Sequence, residues 1–221
     1  MIAEHLINPM VPAVKVSEPA EKAVIWMEEL KTNQLPVIDG RVYVGLISED
    51  IILEGNDLNR EVGKFELLAE NCYVYMGQHL FDVIKVLQEC NAEMVAILDK
   101  ENNFIGVATF EDALKAFAHS ITIQSKGGIL VISMKYIDYS MAEIGRLIEA
   151  EGAKILGSII SPHPSDQDRL YLTLKLNMED LSAIVAMLER FNYTVIGKFH
   201  EPANIENEKE RLDNLLKYLD I

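Results

Sequence analysis

Hydrophobic and polar positions recur in the same order over two stretches of the chain, residues 13–53 and 72–114. Each stretch opens with a short apolar strand, at residues 13–16 or 72–75. Helical spacing follows. Ala23, Trp26, Met27 and Leu30 share one face in the first copy, and Leu80, Val83, Ile84 and Leu87 do so in the second. A buried strand ending in Asp comes next, at residues 35–39 or 94–99, and a polar turn after it (39–41 or 99–103) marks a hairpin. The returning strands cover 42–47 and 104–108, and second helices start near Ser48 and Thr109. Each copy therefore reads β-α-β-β-α. One such unit leaves a sheet face uncovered, and two packed together bury it. The polar stretch 54–64 is the expected connection.

After about Ser120 the pattern changes. Residues 128–134 read as a strand, 141–151 as a helix with Ile144, Leu147 and Ile148 on one side, and 153–160 as a strand. Residues 170–176 alternate apolar and polar as a half-exposed strand does, and 161–168 form the hairpin loop before them. A helix over 181–190 and a strand over 193–199 complete the order β-α-β-β-α-β, the ferredoxin-like split arrangement. Ile205, Leu212, Leu215, Leu216 and Leu219 predict a C-terminal amphipathic helix. The expected fold class is α+β, with repeats at 1–58 and 59–120, a ferredoxin-like domain at 121–201 and the tail helix at 202–221.

The 221 residues are 49% hydrophobic, long and apolar enough to bury substantial cores. A formal net charge of −15 repels nucleic-acid phosphates and anionic lipid, so neither nucleic acid nor membrane is expected as a partner. No apolar run is long enough to span a bilayer, and the start, Met1 to His5, lacks the basic-then-apolar character of a signal peptide. A cytoplasmic location is expected. Cys72 and Cys90 show no metal or redox spacing and read as two small buried hydrophobes. His163, between two prolines, has only Asp166 and Asp168 nearby, and no metal is expected there. The chain has no nucleophile elbow, no His-Glu-x-x-His and no phosphate-binding glycine loop, so neither enzymatic activity nor a required cofactor is expected.

A motif of the form Gly-x-x-Ser/Thr-x-x-Asp sits at the last strand-to-helix junction of each repeat. The second copy has it in full, from Gly106 through Thr109 to Asp112. The first has Gly45 and Ser48, but its acid, Asp50, comes one residue early and Ile51 takes the aligned place. With this motif and this element order the repeats resemble CBS domains, which occur as pairs (the Bateman module). The third segment resembles an ACT module, and the CBS-CBS-ACT order is similar to that of the acetoin-utilisation accessory proteins.

This resemblance implies a regulatory sensor. An adenosine-containing effector (AMP, ADP, ATP or S-adenosylmethionine) would bind the CBS pair, and a protein partner would read the change. The likeness assigns Asp112 to the ribose hydroxyls and Thr109 to the ribose-phosphate side, beside Gly106. Ser48 and Asp50 are the first-repeat counterparts, with the carboxylate swung about 100° around the helix axis by its one-residue displacement. His79, after the first strand of the second repeat, is a further candidate for the cleft, with a solvated surface position as its alternative. The residues alone allow another reading of Thr109 and Asp112, because Thr-x-x-Asp is close to a capping box that holds a helix end without any ligand. Few cations lie near the second motif, which favours adenosine, AMP or S-adenosylmethionine over ATP.

ACT modules bind amino acids in the loop between first strand and first helix. Here that loop offers Asp138, Tyr139 and Ser140, with Ser140 in place of the family's glycine and able to cap the helix instead. A four-stranded sheet with an open face and a free edge needs a cover; a second subunit is one supplier, the repeat pair or the tail helix another, and a homodimer is expected. Two alternatives stand beside the nucleotide sensor: a ligand-independent dimerisation scaffold, and an amino-acid sensor acting through the ACT-like segment.

Overall fold

The computed structural model describes residues 1–200. The amphipathic helix expected from Ile205 to Leu219 lies outside the described residues. The chain divides into two compact units, Met1–His119 and Ser120–Ile221.

The first unit holds the two repeats. In the first, β1 (Val14–Lys15) leads into α1 (Ala20–Leu30), then β2 (Gln34–Asp39), β3 (Val42–Ser48) and α2 (Glu49–Gly55). In the second, β4 (Tyr73–Tyr75), α3 (Leu80–Cys90), β5 (Met94–Leu98), β6 (Phe104–Thr109) and α4 (Phe110–Ala118) follow the same order. Each repeat makes a three-stranded sheet, β1-β2-β3 or β4-β5-β6. The first pair of strands is parallel, as a helical crossover requires, and the second is an antiparallel hairpin.

Strand alternation explains how two small sheets find two covers each. Val95 and Ile97 of β5 point to the helices of their own repeat, among Val83 and Leu87 of α3. Met94, Ala96 and Leu98, one position off, point the other way and meet Tyr43 and Leu46 of β3 with Val107 of β6. All five β5 residues are therefore buried. The faces packed against each other form the central layer of the pair, and Val14, Leu35, Val37 and Ile47 pack with α1 and α2 outside it. At one end the repeats are tied by polar groups. The Glu93 carboxylate accepts from Thr32 Oγ1 at 2.9 Å and the Asn33 N–H at 3.2 Å, while the Glu93 N–H donates to Gln34 Oε1 at 3.1 Å.

Each repeat borrows a strap from outside the stretch that the hydrophobic pattern marks. Ala3 and Leu6, in a 3₁₀ turn over Ala3–Leu6, are buried in the core of the second repeat. Val62 and Phe65 are buried in the core of the first. Backbone bonds repeat this exchange: Asn8 N–H donates to the Val107 carbonyl at 2.8 Å, and Leu46 and Leu68 exchange two bonds at 2.7 and 2.8 Å. The packing is thus interleaved about the cut at 58/59 drawn from the sequence.

The second unit starts with a short helix, α5 (Ile121–Gln124), which the sequence pattern did not mark. There follow β7 (Ile129–Lys135), α6 (Met141–Ala150), β8 (Ile155–Pro162), β9 (Arg169–Leu176), α7 (Ser182–Arg190) and β10 (Thr194–Phe199). The sheet is antiparallel in the order β10-β7-β9-β8, the ferredoxin-like arrangement. Leu170, Leu172, Leu174 and Leu176 alternate down β9 and meet Ile144, Leu147 and Ile148 of α6 and Ile184 and Leu188 of α7. Thr173 and Lys175 point to the opposite, more open face. Among the described residues no helix is long and apolar enough to cross a membrane.

Candidate functional site

The second motif is folded onto its own helix. Thr109 is the N-cap of α4, and its Oγ1 accepts from the Asp112 N–H at 3.1 Å. Asp112 sits three residues in, so its carboxylate reaches back to the Thr109 N–H at 3.0 Å and to the Thr109 hydroxyl at 2.6 Å. This is the reciprocal capping box. A third donor comes from the N-terminal strap, where Asn8 Nδ2 lies 3.0 Å from the same oxygen. All three bonds converge on Asp112 Oδ2. A two-point grip on vicinal ribose hydroxyls needs both carboxylate oxygens, and one of them is already saturated. Gly106 lies under Ile7, whose Cγ2 stands 2.7 Å from where a Cβ would be. The strap therefore lies over both ends of this motif.

His79 has a similar local role. It caps α3 with Nδ1 accepting from the Phe81 N–H at 3.2 Å, its own N–H donates to Asp82 Oδ2 at 3.0 Å, and its ring meets Phe81 edge-on at 4.7 Å. The geometry gives it a helix-capping position on the surface.

The first motif is more open. Ser48 is the buried N-cap of α2, and its Oγ accepts from the Ile51 N–H at 3.3 Å. Asp50 occupies the second helical position. It is one residue short of the place from which a side chain can close a capping box, so Ile51 holds that place instead. Asp50 is exposed and lines a cavity of about 700 Å³ together with Ser48. Phe110, at the start of α4 and 56% exposed, supplies an aromatic wall, and Asn33, Gln34 and Glu93 supply polar groups. None of the described residues lining this cavity is Lys or Arg, and two, Asp50 and Glu93, are acidic. The displaced acid that weakens the first motif by pattern is the one left facing a cavity. Phe110, Asn33 and Glu93 were not singled out from the sequence. They lie in loops and helix ends of both repeats and meet only because the repeats pair.

In the second unit, Asp138, Tyr139 and Ser140 line a separate cavity of about 610 Å³. Ser140 caps α6, accepting from the Glu143 N–H at 3.3 Å. Arg169 enters from β9, whose register sets it opposite Lys135 of β7. Its Nε and Nη2 donate to the buried Ser133 hydroxyl at 3.3 and 3.0 Å. Tyr193 completes the wall, and its phenol is raised above its usual range, first by burial and then by the Glu143 and Asp138 carboxylates. The cavity is thus lined by two cations, Arg169 and Lys135, and two acids, Asp138 and Glu143. Sequence reasoning found the loop but missed Arg169, Tyr193 and Glu143. Strand alternation alone places Arg169 on the open face beside Tyr171 and Thr173, and nothing local ties it to residues some thirty positions earlier.

No family model matches the chain. Solved structures similar to it include a CBS domain pair/ACT domain protein from Thermotoga maritima, 18% identical, with a TM-score of 0.51 over 55% of this chain and 99% of that one. Others are the CBS domains of a transcriptional regulator from Streptococcus pneumoniae (16% identical, TM-score 0.47, 52% of this chain and 98% of that one) and CBSX2 in complex with AMP (23%, 0.44, 52% and 95%). The share of this chain matched by the first is about that of the unit Met1–His119. That unit has the fold of a CBS pair.

Proposed function

We propose that this protein is a regulatory small-molecule sensor whose CBS pair binds an adenosyl ligand at the first repeat. The observation that carries this reading is the cavity beside Ser48 and Asp50, which combines an unengaged carboxylate, an aromatic ring and a rim of amide side chains with one further acid, Glu93. Its volume of about 700 Å³ suits a nucleoside-sized molecule. Asp50 would accept from the ribose hydroxyls, and Phe110 would stack on the base. The acidic lining selects against phosphate, since two like charges about 6 Å apart repel by roughly 1–3 kcal/mol at an effective dielectric of 20–40. A neutral or cationic adenosyl compound, adenosine or S-adenosylmethionine, fits better than ATP. At the second repeat, Asp112 would serve a ligand only if Asn8 yielded its place.

Binding would reach a partner through helices α2 and α4, whose Leu53 and Leu114 stand 58% and 54% exposed. A second copy of the chain is the proposed first occupant of that surface, and a regulated protein the reader of the signal. The division into repeats at 1–58 and 59–120, an ACT-like segment at 121–201 and a tail at 202–221 belongs to the same proposal, as does the absence of catalysis.

Thermal melts with adenosine, S-adenosylmethionine, AMP and ATP test the reading. A ligand at one hundred times its dissociation constant stabilises by about 2.7 kcal/mol, several degrees for a unit of this size. S-adenosylmethionine should raise the melting temperature most and ATP least, and Asp50→Asn should remove the preference. If no adenosyl compound shifts the melt, the CBS pair is a ligand-independent scaffold. A second reading, an amino-acid sensor, is favoured by the cavity of the other unit. There Arg169 would take the carboxylate, and Asp138 with Glu143 the ammonium. Stabilisation by an amino acid that Arg169→Lys weakens would support it.

A further inference from the structure

The chain's only two cysteines lie apart from the proposed ligand groups. Cys72, just before β4, is buried, and its thiol donates to the Met94 carbonyl at 3.5 Å. Cys90 is the last residue of α3, half-buried, and packs against the same core cluster. Topology brings them together. The crossover helix α3 runs back along β4, so its C-terminus finishes beside the strand's beginning. Burial pushes the Cys72 thiol up, and a hydrogen bond with the Cys90 thiol pushes it further. A cavity of about 520 Å³ opens on Cys90, with Ala69 and Asn71 on one side and Asn91 and Ala92 on the other.

We propose that Cys72 and Cys90 form a dithiol site that a small hydroperoxide closes into an intramolecular disulfide. Cys90, reached through the cavity, is the first reactant. Its sulfur attacks the peroxide, the O–O bond breaks, a sulfenic acid forms and, with hydrogen peroxide, one water leaves. Cys72 then attacks the Cys90 sulfur, the S–S bond forms, and the Cys72 proton leaves with the hydroxyl as a second water. The two thiols are oxidised by two electrons and the peroxide is reduced by two. Burial keeps Cys72 away from the peroxide, so its part is confined to the second step, in which its proton passes to the departing hydroxyl as the S–S bond forms. Closure staples the residue before β4 to the end of α3. Gln34, Asn91 and Ala92 line both this cavity and the one beside Asp50, so the staple reaches the wall of the proposed ligand site. Only this last coupling rests on the adenosyl reading, and the thiol chemistry is tested without ligand.

The test exposes the reduced full chain to hydrogen peroxide, then measures intact mass and titrates thiols in denaturant. The wild type should go from two titratable thiols to none, lose the mass of two hydrogens, and run as single chains on a non-reducing gel. In Cys90→Ser, Cys72 should stay titratable under the same exposure. In Cys72→Ala, Cys90 should accumulate as a sulfenic acid that dimedone traps. Oxygen adducts on the wild type without loss of two hydrogens, bridges formed only between chains, or equally fast oxidation of Cys72 in Cys90→Ser would overturn the proposal. Should Cys72→Ala fail to fold, the wild-type mass and the Cys90→Ser thiol count decide alone.

Discussion

Replacing Asp112 with alanine separates its capping role from a ligand role. Three hydrogen bonds end on its Oδ2, two from Thr109 and one from Asn8. Loss of a helix cap costs about 1 kcal/mol. The Asn8 bridge, a neutral amide on an ionised carboxylate, adds about 1 kcal/mol more, below the usual value for a charged partner because the pair is partly wet. Asp112→Ala should therefore cost about 2 kcal/mol and Asn8→Ala about 1. The bridge can be lost only once, so the double variant should cost about as much as Asp112→Ala alone, a coupling of roughly 1 kcal/mol. Trp26 is the sole tryptophan and lies in the first unit, so its fluorescence in a urea titration reports on the CBS pair. Costs that add to within about 0.3 kcal/mol would show that the bridge is absent in solution. An Asp112→Ala chain of unchanged stability that no longer responds to adenosyl ligands would return the carboxylate to the ribose.

Three further outcomes are expected. Tyr43 is raised by burial, with the Cys72 and Cys90 thiols adding to it, so its stabilising contribution is whole below the unfolded phenol value of about 10 and is lost as pH rises beyond it; Tyr43→Phe should flatten the alkaline limb of a pH–stability curve, while its lost bond to the Ala69 carbonyl costs about 1 kcal/mol at pH 7. Gly127 has φ +140 and a Cβ there would stand 1.9 Å from the Leu176 carbonyl oxygen, so Gly127→Ala should cost about 2 kcal/mol or more by calorimetry. Ile144 is fully buried between α6 and the sheet, and Ile144→Ala should cost about 2–5 kcal/mol in the same measurement.

Periodicity made the elements legible because each repeat buries one helix face and alternating strand faces. Val83 and Leu87, or Leu172 and Leu174, announce themselves at spacings of four and two. The straps did not. Ala3, Leu6 and Val62 are buried singly in short irregular segments, with too few apolar positions to set a period. The motif residues were legible as chemistry but not as geometry. Thr109 and Asp112 fit both a ribose site and a capping box, and the deciding partner, Asn8, lies 104 positions away. At the first repeat the misplaced Asp50 looked like a defect. Its failure to reach the cap is what leaves it facing a cavity, and that depends on Phe110 and Glu93 arriving from the other repeat.

The opening strap has a practical corollary for anyone trimming or tagging this polypeptide. Met1 to Asn8 abuts the second half of the pair, bonding to Gln78, Leu80, Val107 and Asp112. A peptide fused ahead of Met1, or cleavage after Asn8, would disturb the neighbourhood of Thr109. The capping box of α4 can thus be perturbed from the strap, with Phe110 at the start of that helix the route by which the change would reach the cavity beside Asp50.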